Sequence, residues 1–340
     1  MCSNVGNVRN QLCKVCSELP FDSKNPPFGS NYTGPTYFIL GKISELREYV
    51  IFRQCSFCRF IVSIFDKFVF EEDVSEKDLR EDGNVVLSYY STSKGSLTLG
   101  VNSEGRTVSR SIVALEGSYS MVSSDNILQA RRVTGMEMDI TMILGWINAC
   151  EKFHGEKCQP RSITRPNGLE MIPSFRVIDV LDFYVITAPN PCRYISLSYV
   201  WGGVPLFRLT KENKVLLSQP GSLKEHSAWS YIPQTIRDAI ILTQQLGERY
   251  LWIDSFCLVQ DDLEDLQNGI STMDLVYELS YMTIIAGAGS HAHFGLPGIR
   301  KQSRIVDQEA VEVIPGLQLT TLQSLTNRLE TSEYSSRAWT

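Results

Sequence analysis

The chain has 340 residues and a mass of 38.4 kDa, and it is 43% hydrophobic and 21% charged. That is enough for about two packed domains and too apolar for wholesale disorder. The 38 acidic and 32 basic residues leave a net charge of −6 and a pI near 5.4, which argues against nucleic acid as a partner, since phosphate binding calls for a basic surplus or stripe.

The most apolar stretch, around residues 50–65, is interrupted by Arg53, Gln54 and Arg59, well short of the roughly 20 apolar residues a membrane helix needs. Residues 1–10 lack the apolar segment of a signal peptide. The expectation is a cytoplasmic chain with no membrane segment, in which the nine cysteines act as thiols or metal ligands rather than disulfides.

Three regions are predicted: 1–75, a Cys-pair region; 76–170, strands followed by a helix; and 171–340, an α/β domain. In the first, Cys13-x2-Cys16 and Cys55-x2-Cys58 suit a tetrahedral Zn(II). Each C-x2-C turn presents two sulfurs to one ion, and the four should lie about 3.5–4 Å apart. The alternative is that Cys55 and Cys58 belong to the apolar face of a helix with Phe52 and Ile61. In the second, residues 85–90 and 96–99 alternate as antiparallel strands with turns at Gly95 and Gly105. A helix over 142–153 follows. Near its end, Cys150, His154 and Cys158 fall on one helical stripe. Helix packing around one satisfied histidine is the favoured reading of that trio; a metal reading lacks an obvious fourth ligand, Cys192 being the conceivable one. Residues 176–180 and 183–186 read as two short strands about a turn.

From Tyr194 onward strands and helices alternate. A strand over 194–199 ends at Trp201-Gly202-Gly203, and a helix opens at Pro233 with Ile236, Ala239, Ile240 and Leu246 on one face. A strand over 250–253 closes on Asp254, a second helix runs from Ile270 to Leu279, and a third strand over 282–286 ends in Gly287-x-Gly289. The pattern β-α-β-α-β predicts a parallel sheet of the Rossmann or flavodoxin kind, preceded by an N-terminal cysteine-bearing α+β region. Ligands of such sheets bind at the carboxyl ends of the strands. Those ends carry Ser198, Tyr199, Trp201 and Gly202, then Asp254 and Ser255, with Gln260 and Asp261 in the following loop. Asp254 either caps the next turn or faces a ribose hydroxyl. Cys257, between Phe256 and Leu258, reads as a core thiol, and a helix N-cap suits Asp261 or Asp262.

Tyr194-Ile-Ser-Leu-Ser-Tyr-Val-Trp-Gly202, Ile232-Pro-Gln-Thr-Ile-Arg-Asp-Ala-Ile240 and Leu246-Gly-Glu-Arg-Tyr-Leu-Trp-Ile-Asp-Ser-Phe-Cys-Leu-Val-Gln-Asp-Asp262 resemble, in order, the motifs of the fungal heterokaryon-incompatibility (HET) domain. Arg337-Ala-Trp-Thr340 resembles the start of its last motif. The resemblance spans about residues 176–340. It implies a module of vegetative incompatibility, a cell-death effector of non-self recognition with protein partners and homo-oligomer formation. The HET domain in turn resembles the Toll/interleukin-receptor domain, whose NAD-cleaving members place a glutamate four residues after a tryptophan. The resemblance therefore implies NAD as substrate at Ser198, Tyr199, Trp201, Gly202, Asp254, Ser255, Gln260, Asp261 and Trp339. The matching glutamate would lie beyond Thr340, so a C-terminally truncated domain with little or no NAD hydrolysis is expected. The alternative is a non-enzymatic, zinc-bearing adaptor that works by oligomerisation.

Overall fold

The computed structural model describes residues 12–22, 33, 36–71, 83–89, 96–103, 106–116, 129–133, 135–158, 168–306, 308–322, 329–330 and 332–336. The chain divides into two compact units, Met1–Thr134 with Val306–Ser324, and Gly135–Ile305 with Leu325–Thr340.

In the first unit a short helix α1 (Lys14–Ser17) precedes strand β1 (Tyr37–Lys42) and helices α2 (Ile43–Arg53) and α3 (Ser56–Glu71). Gln54, in the left-handed region at φ 50°, ends α2 and turns the chain into α3. Strands β2 (Asn84–Tyr89), β3 (Leu97–Ser103) and β4 (Arg106–Leu115) follow, then the two-residue β5 (Gln129–Ala130). Much later in the chain come β11 (Ala310–Ile314) and β12 (Leu317–Leu322). The sheet order is β1-β2-β3-β4-β12-β11, antiparallel throughout, with β5 pairing parallel to the end of β4. Period-2 alternation points Val85, Leu87, Leu97, Leu99, Val101, Ile112, Ala114, Leu317 and Leu319 to one face. There they form a single apolar cluster with Phe57, Phe60, Ile61, Ile64 and Phe65 of α3. The antiparallel pairing of residues 84–89 with 97–103 is as expected; Gly95 and Gly105 lie outside the described residues.

The second unit opens with α4 (Ile140–His154), whose N-cap Asp139 accepts the Met142 N–H at 3.1 Å. Strands β6 (Arg176–Asp179), β7 (Tyr184–Thr187) and β8 (Tyr194–Tyr199) follow, then helices α5 (Lys214–Leu217), α6 (His226–Tyr231) and α7 (Gln234–Gln245). Strand β9 (Tyr250–Trp252), helices α8 (Asp254–Cys257), α9 (Leu263–Ser271) and α10 (Met273–Leu279), and strand β10 (Met282–Ala286) complete the set. The long helix expected across Ile270 to Leu279 is two helices meeting at Thr272.

The expected Rossmann- or flavodoxin-like parallel sheet is not the fold found. The sheet is mixed, in the order β10-β8-β9-β6-β7. Strands β10, β8 and β9 are mutually parallel in register, Met282 beside Ile195 and Tyr194 beside Tyr250. The β6–β7 hairpin, however, joins β9 antiparallel through Ile178 and Leu251. A four-residue connection between β6 and β7 allows only an antiparallel return, and that hairpin occupies the edge a fourth parallel strand would need. The sheet is also not covered like a doubly wound one: β8 is buried at all six positions, whereas Ile285 on β10 is 49% exposed. The other, larger sheet is antiparallel, so the molecule as a whole is not of the parallel class.

Candidate metal centre and strand-end site

The four cysteines of the first unit converge. Cys13 and Cys55 each stand just before a helix, their carbonyls accepting the Ser17 N–H at 2.9 Å and the Arg59 N–H at 3.1 Å. Cys16 and Cys58 follow three residues later, inside the first turn, so each pair lies on one side of its helix start. Cys13 Sγ is 3.7 Å and Cys16 Sγ 3.6 Å from Cys58 Sγ, and all four sulfurs lie within 4.8 Å of one another. All four residues are buried. Tetrahedral Zn(II) with bonds near 2.3 Å places sulfurs about 3.8 Å apart, so the donor set fits the ion with no change of side-chain position at the two measured pairs. The helical alternative is also partly true: Cys55 and Cys58 do pack in the apolar cluster with Ile61.

The electrostatics of the set point the same way. The Cys58 N–H is directed at Cys55 Sγ at 3.4 Å, at the start of the 16-residue α3, where the helix favours negative charge. Thiol donation from Cys16 and Cys58 holds Cys55 far below the usual thiol range, while Cys16, which donates to Cys55 and is buried, is pushed up. A cation in the midst of the four would balance the negative charge that thiolates bring into an apolar core.

The second site lies at the carboxyl ends of β8 and β9. Tyr199 OH and Ser255 Oγ are 2.8 Å apart and both are buried. Ser198 Oγ lies 2.9 Å from the hydroxyl of Tyr334. Trp201 donates through Nε1 to Asp254 Oδ2 at 3.0 Å, and Asp254 Oδ1 accepts the Ser255 N–H at 2.7 Å. Gly202, at φ 71°, closes the corner after β8: a Cβ there would sit 2.5 Å from the Cβ of His291, so only glycine fits. Of the residues expected here, Ser198, Tyr199, Trp201, Gly202, Asp254 and Ser255 do meet at these strand ends. Gln260 turns back to donate to the carbonyls of Asp254 and Leu258 at 3.0 and 3.1 Å. Asp261 accepts the Lys211 N–H at 2.8 Å and holds the neighbouring loop. Asp262 occupies the N-cap position of α9 without a side-chain cap bond. Trp339 lies outside the described residues.

Sequence reasoning passed over two buried carboxylates and a partly buried one. Asp238, within α7, accepts from the Leu296 N–H at 2.8 Å and from Gln234 Nε2 at 2.6 Å and pairs with Arg300 at 3.2 Å. Asp179 holds Arg249 at 2.8 Å and accepts the N–H groups of Leu181 and Asp182. Asp265 pairs with the buried Arg176 and accepts the Val259 N–H at 2.7 Å. A carboxylate on the apolar stripe of a helix, as at Asp238 among Thr235, Ala239 and Leu242, was the available signal. Tyr334 left none, since only the folded chain brings it to Ser198.

Four thiols that could hold a metal ion converge in one unit, and a polar cluster gathers at parallel strand ends in the other, so the protein is a two-unit α+β chain with an antiparallel and a mixed sheet. Residues 194–340 match the family model described as Heterokaryon incompatibility protein (HET). The segment 194–340, which contains β8 to β10 and the strand-end cluster, is therefore similar to the heterokaryon incompatibility domain. Comparison with curated proteins and with solved structures gives no significant match. Among the described residues, no helix is long and apolar enough to cross a membrane.

Proposed function

We propose that this chain is a non-self recognition module that signals growth arrest or cell death through protein contacts, including contacts between its own copies, with its N-terminal unit held by a structural Zn(II). The observation that carries this reading over NAD cleavage is the state of Asp254. Both of its oxygens receive hydrogen bonds from within the fold, Oδ2 from the Trp201 indole and Oδ1 from the Ser255 N–H. A carboxylate that stabilises a ribosyl cation must face the developing charge, whereas Asp254 fixes the start of α8 and the Trp201 corner. Cys13, Cys16, Cys55 and Cys58 would hold the metal as a closed set, which supports a structural role for it, because a catalytic zinc keeps one position open.

The test is inducible expression of the chain in a filamentous fungus, with growth and cellular NAD followed together. Arrest with an unchanged NAD pool, and no nicotinamide release by the purified protein, is the expected outcome. A collapse of the NAD pool that Asp254→Asn abolishes would overturn the reading and assign the chemistry to Asp254.

A further inference from the structure

Helix α4 has two different faces. Ile140, Ile143, Leu144 and Ile147 pack against the apolar core of the second unit. The opposite side presents Trp146 and Phe153, 53% and 72% exposed. Cys150 and His154, one turn apart, continue the Ile143 and Ile147 stripe into the last turn of the helix, where His154 is exposed and Cys150 half-buried. Gly155 then takes φ 55° and ψ −136°, a conformation open to glycine and costly for other residues. It starts the 3-10 turn Gly155–Cys158, which folds back and returns Cys158 to the helix end. Cys158 Sγ lies 3.4 Å from His154 Nδ1, and all three ligand atoms lie within 4.8 Å of one another. The contact with Cys158 satisfies one ring nitrogen of His154, as the packing reading expects, and it also brings the three ligand atoms together at an accessible helix end. Cys192, the conceivable fourth member, is buried in the core of the unit.

We infer that Cys150, His154 and Cys158 form a Zn(II) site separate from the four-cysteine centre, with three protein ligands and a fourth position open to solvent or to an incoming ligand. Bonds of about 2.3 Å to sulfur and about 2.05 Å to nitrogen, at a tetrahedral angle, set the sulfur and nitrogen roughly 3.5 Å apart, close to the separation seen. Two thiolates and an imidazole are a borderline-soft donor set that suits zinc. The site also sits at the carboxyl end of a 15-residue helix, where the helix favours a cation. On binding, Cys150 and Cys158 each lose a proton to solvent, and neutral His154 binds through Nδ1 with its Nε2 proton retained. The complex is then neutral overall, so an exposed position costs it little. An open fourth position and half-exposed ligands make this zinc exchangeable, in contrast to the closed and buried set in the other unit.

Metal content and metal release of the whole 340-residue chain test the inference. The wild-type chain is expected to hold one more zinc per molecule than either Cys150→Ser or His154→Ala, and that zinc should be the fraction taken first by a colorimetric chelator. Thermal unfolding of the His154→Ala variant should match wild type, because His154 is exposed. Replacement by Co(II) should give a thiolate-to-metal charge-transfer band that is reduced in both variants. Equal zinc content in wild type and both variants, with identical Co(II) spectra, overturns the site. So does a freshly purified chain in which Cys150 and Cys158 are joined as a disulfide, since a thiol pair of that kind would not be held for a metal. A wild-type chain with a single zinc that both variants lose would support this site and refute the four-cysteine one, so the two assignments stand or fall apart.

Discussion

Cys192 and Cys257 show what burial does to an isolated ionisable group. Each is almost wholly enclosed, and desolvation pushes each thiol up to about 12. In the unfolded chain the same groups ionise near 8.5. The neutral thiol is the favoured form in the fold, so its contribution to stability is complete below pH about 8.5 and is lost as pH rises toward 12. Tyr194, whose phenol is likewise raised by burial, adds to the same slope. Native protein at pH 8 should therefore leave Cys192 and Cys257 unalkylated by iodoacetamide while both react in urea, and the unfolding free energy should decline steadily above pH 8.5. Mass mapping of alkylated peptides and urea titrations across that range check both statements. Early labelling of Cys257 in the native protein would show that its pocket opens, contrary to the packing described here. The core position of Cys257 was legible from its neighbours Phe256 and Leu258, because an apolar run on either side of a strand end is a local signal.

At the scale of elements, α7 is joined to the segment 292–300 by Thr235, which bonds Ala292 and Gly295, and by one buried carboxylate. The Leu296 N–H, the Gln234 amide and the Arg300 guanidinium all converge on Asp238. Removing that acceptor leaves a buried N–H without a partner, which costs about 1–3 kcal/mol, with a further contribution from the stranded guanidinium. Arg300 is nearly half exposed, so water screens part of that second term. Asp238→Ala is expected to lower stability by about 2–3 kcal/mol, read as a lower urea midpoint at unchanged m-value. Asp238→Asn, which keeps the Leu296 acceptor, should lose less. Equal loss in the two variants would point to packing rather than to hydrogen bonding. The helix itself was legible from the spacing of Ile236, Ala239 and Ile240, and Asp238 on its stripe was a signal; the groups that Asp238 holds were not legible, because they come from a loop more than fifty residues away.

At the scale of the molecule, the two units are interleaved in sequence but have separate cores. The closed four-cysteine centre touches only the first. Metal affinity of a site built on folding is itself folding free energy, so chelation should act unit by unit. After treatment with a strong chelator, hydrogen exchange should speed up across β2, β3, β4 and β12 while β8 and the Trp252 region keep their protection. Uniform loss of protection would show that the units do not unfold independently, and no loss would show that the apolar cluster around α3 holds without metal.

What the sequence determined by itself was the local grammar. The three strands at 194–199, 250–252 and 282–286, the helices at 140–154 and 234–245 and the paired geometry of each C-x2-C turn all follow from periodicity, caps and turn residues within a few positions of one another. Tertiary structure decided the partners. It set the β6–β7 hairpin antiparallel against β9, making the sheet mixed. It brought β12 from beyond the second unit to close on β4, and Tyr334 to Ser198 across 136 positions. The physical reason is that the entropy of closing a loop grows only with the logarithm of its length. Distance along the chain therefore discriminates weakly among partners, and the choice falls to burial and hydrogen-bond satisfaction in three dimensions, which no local pattern records.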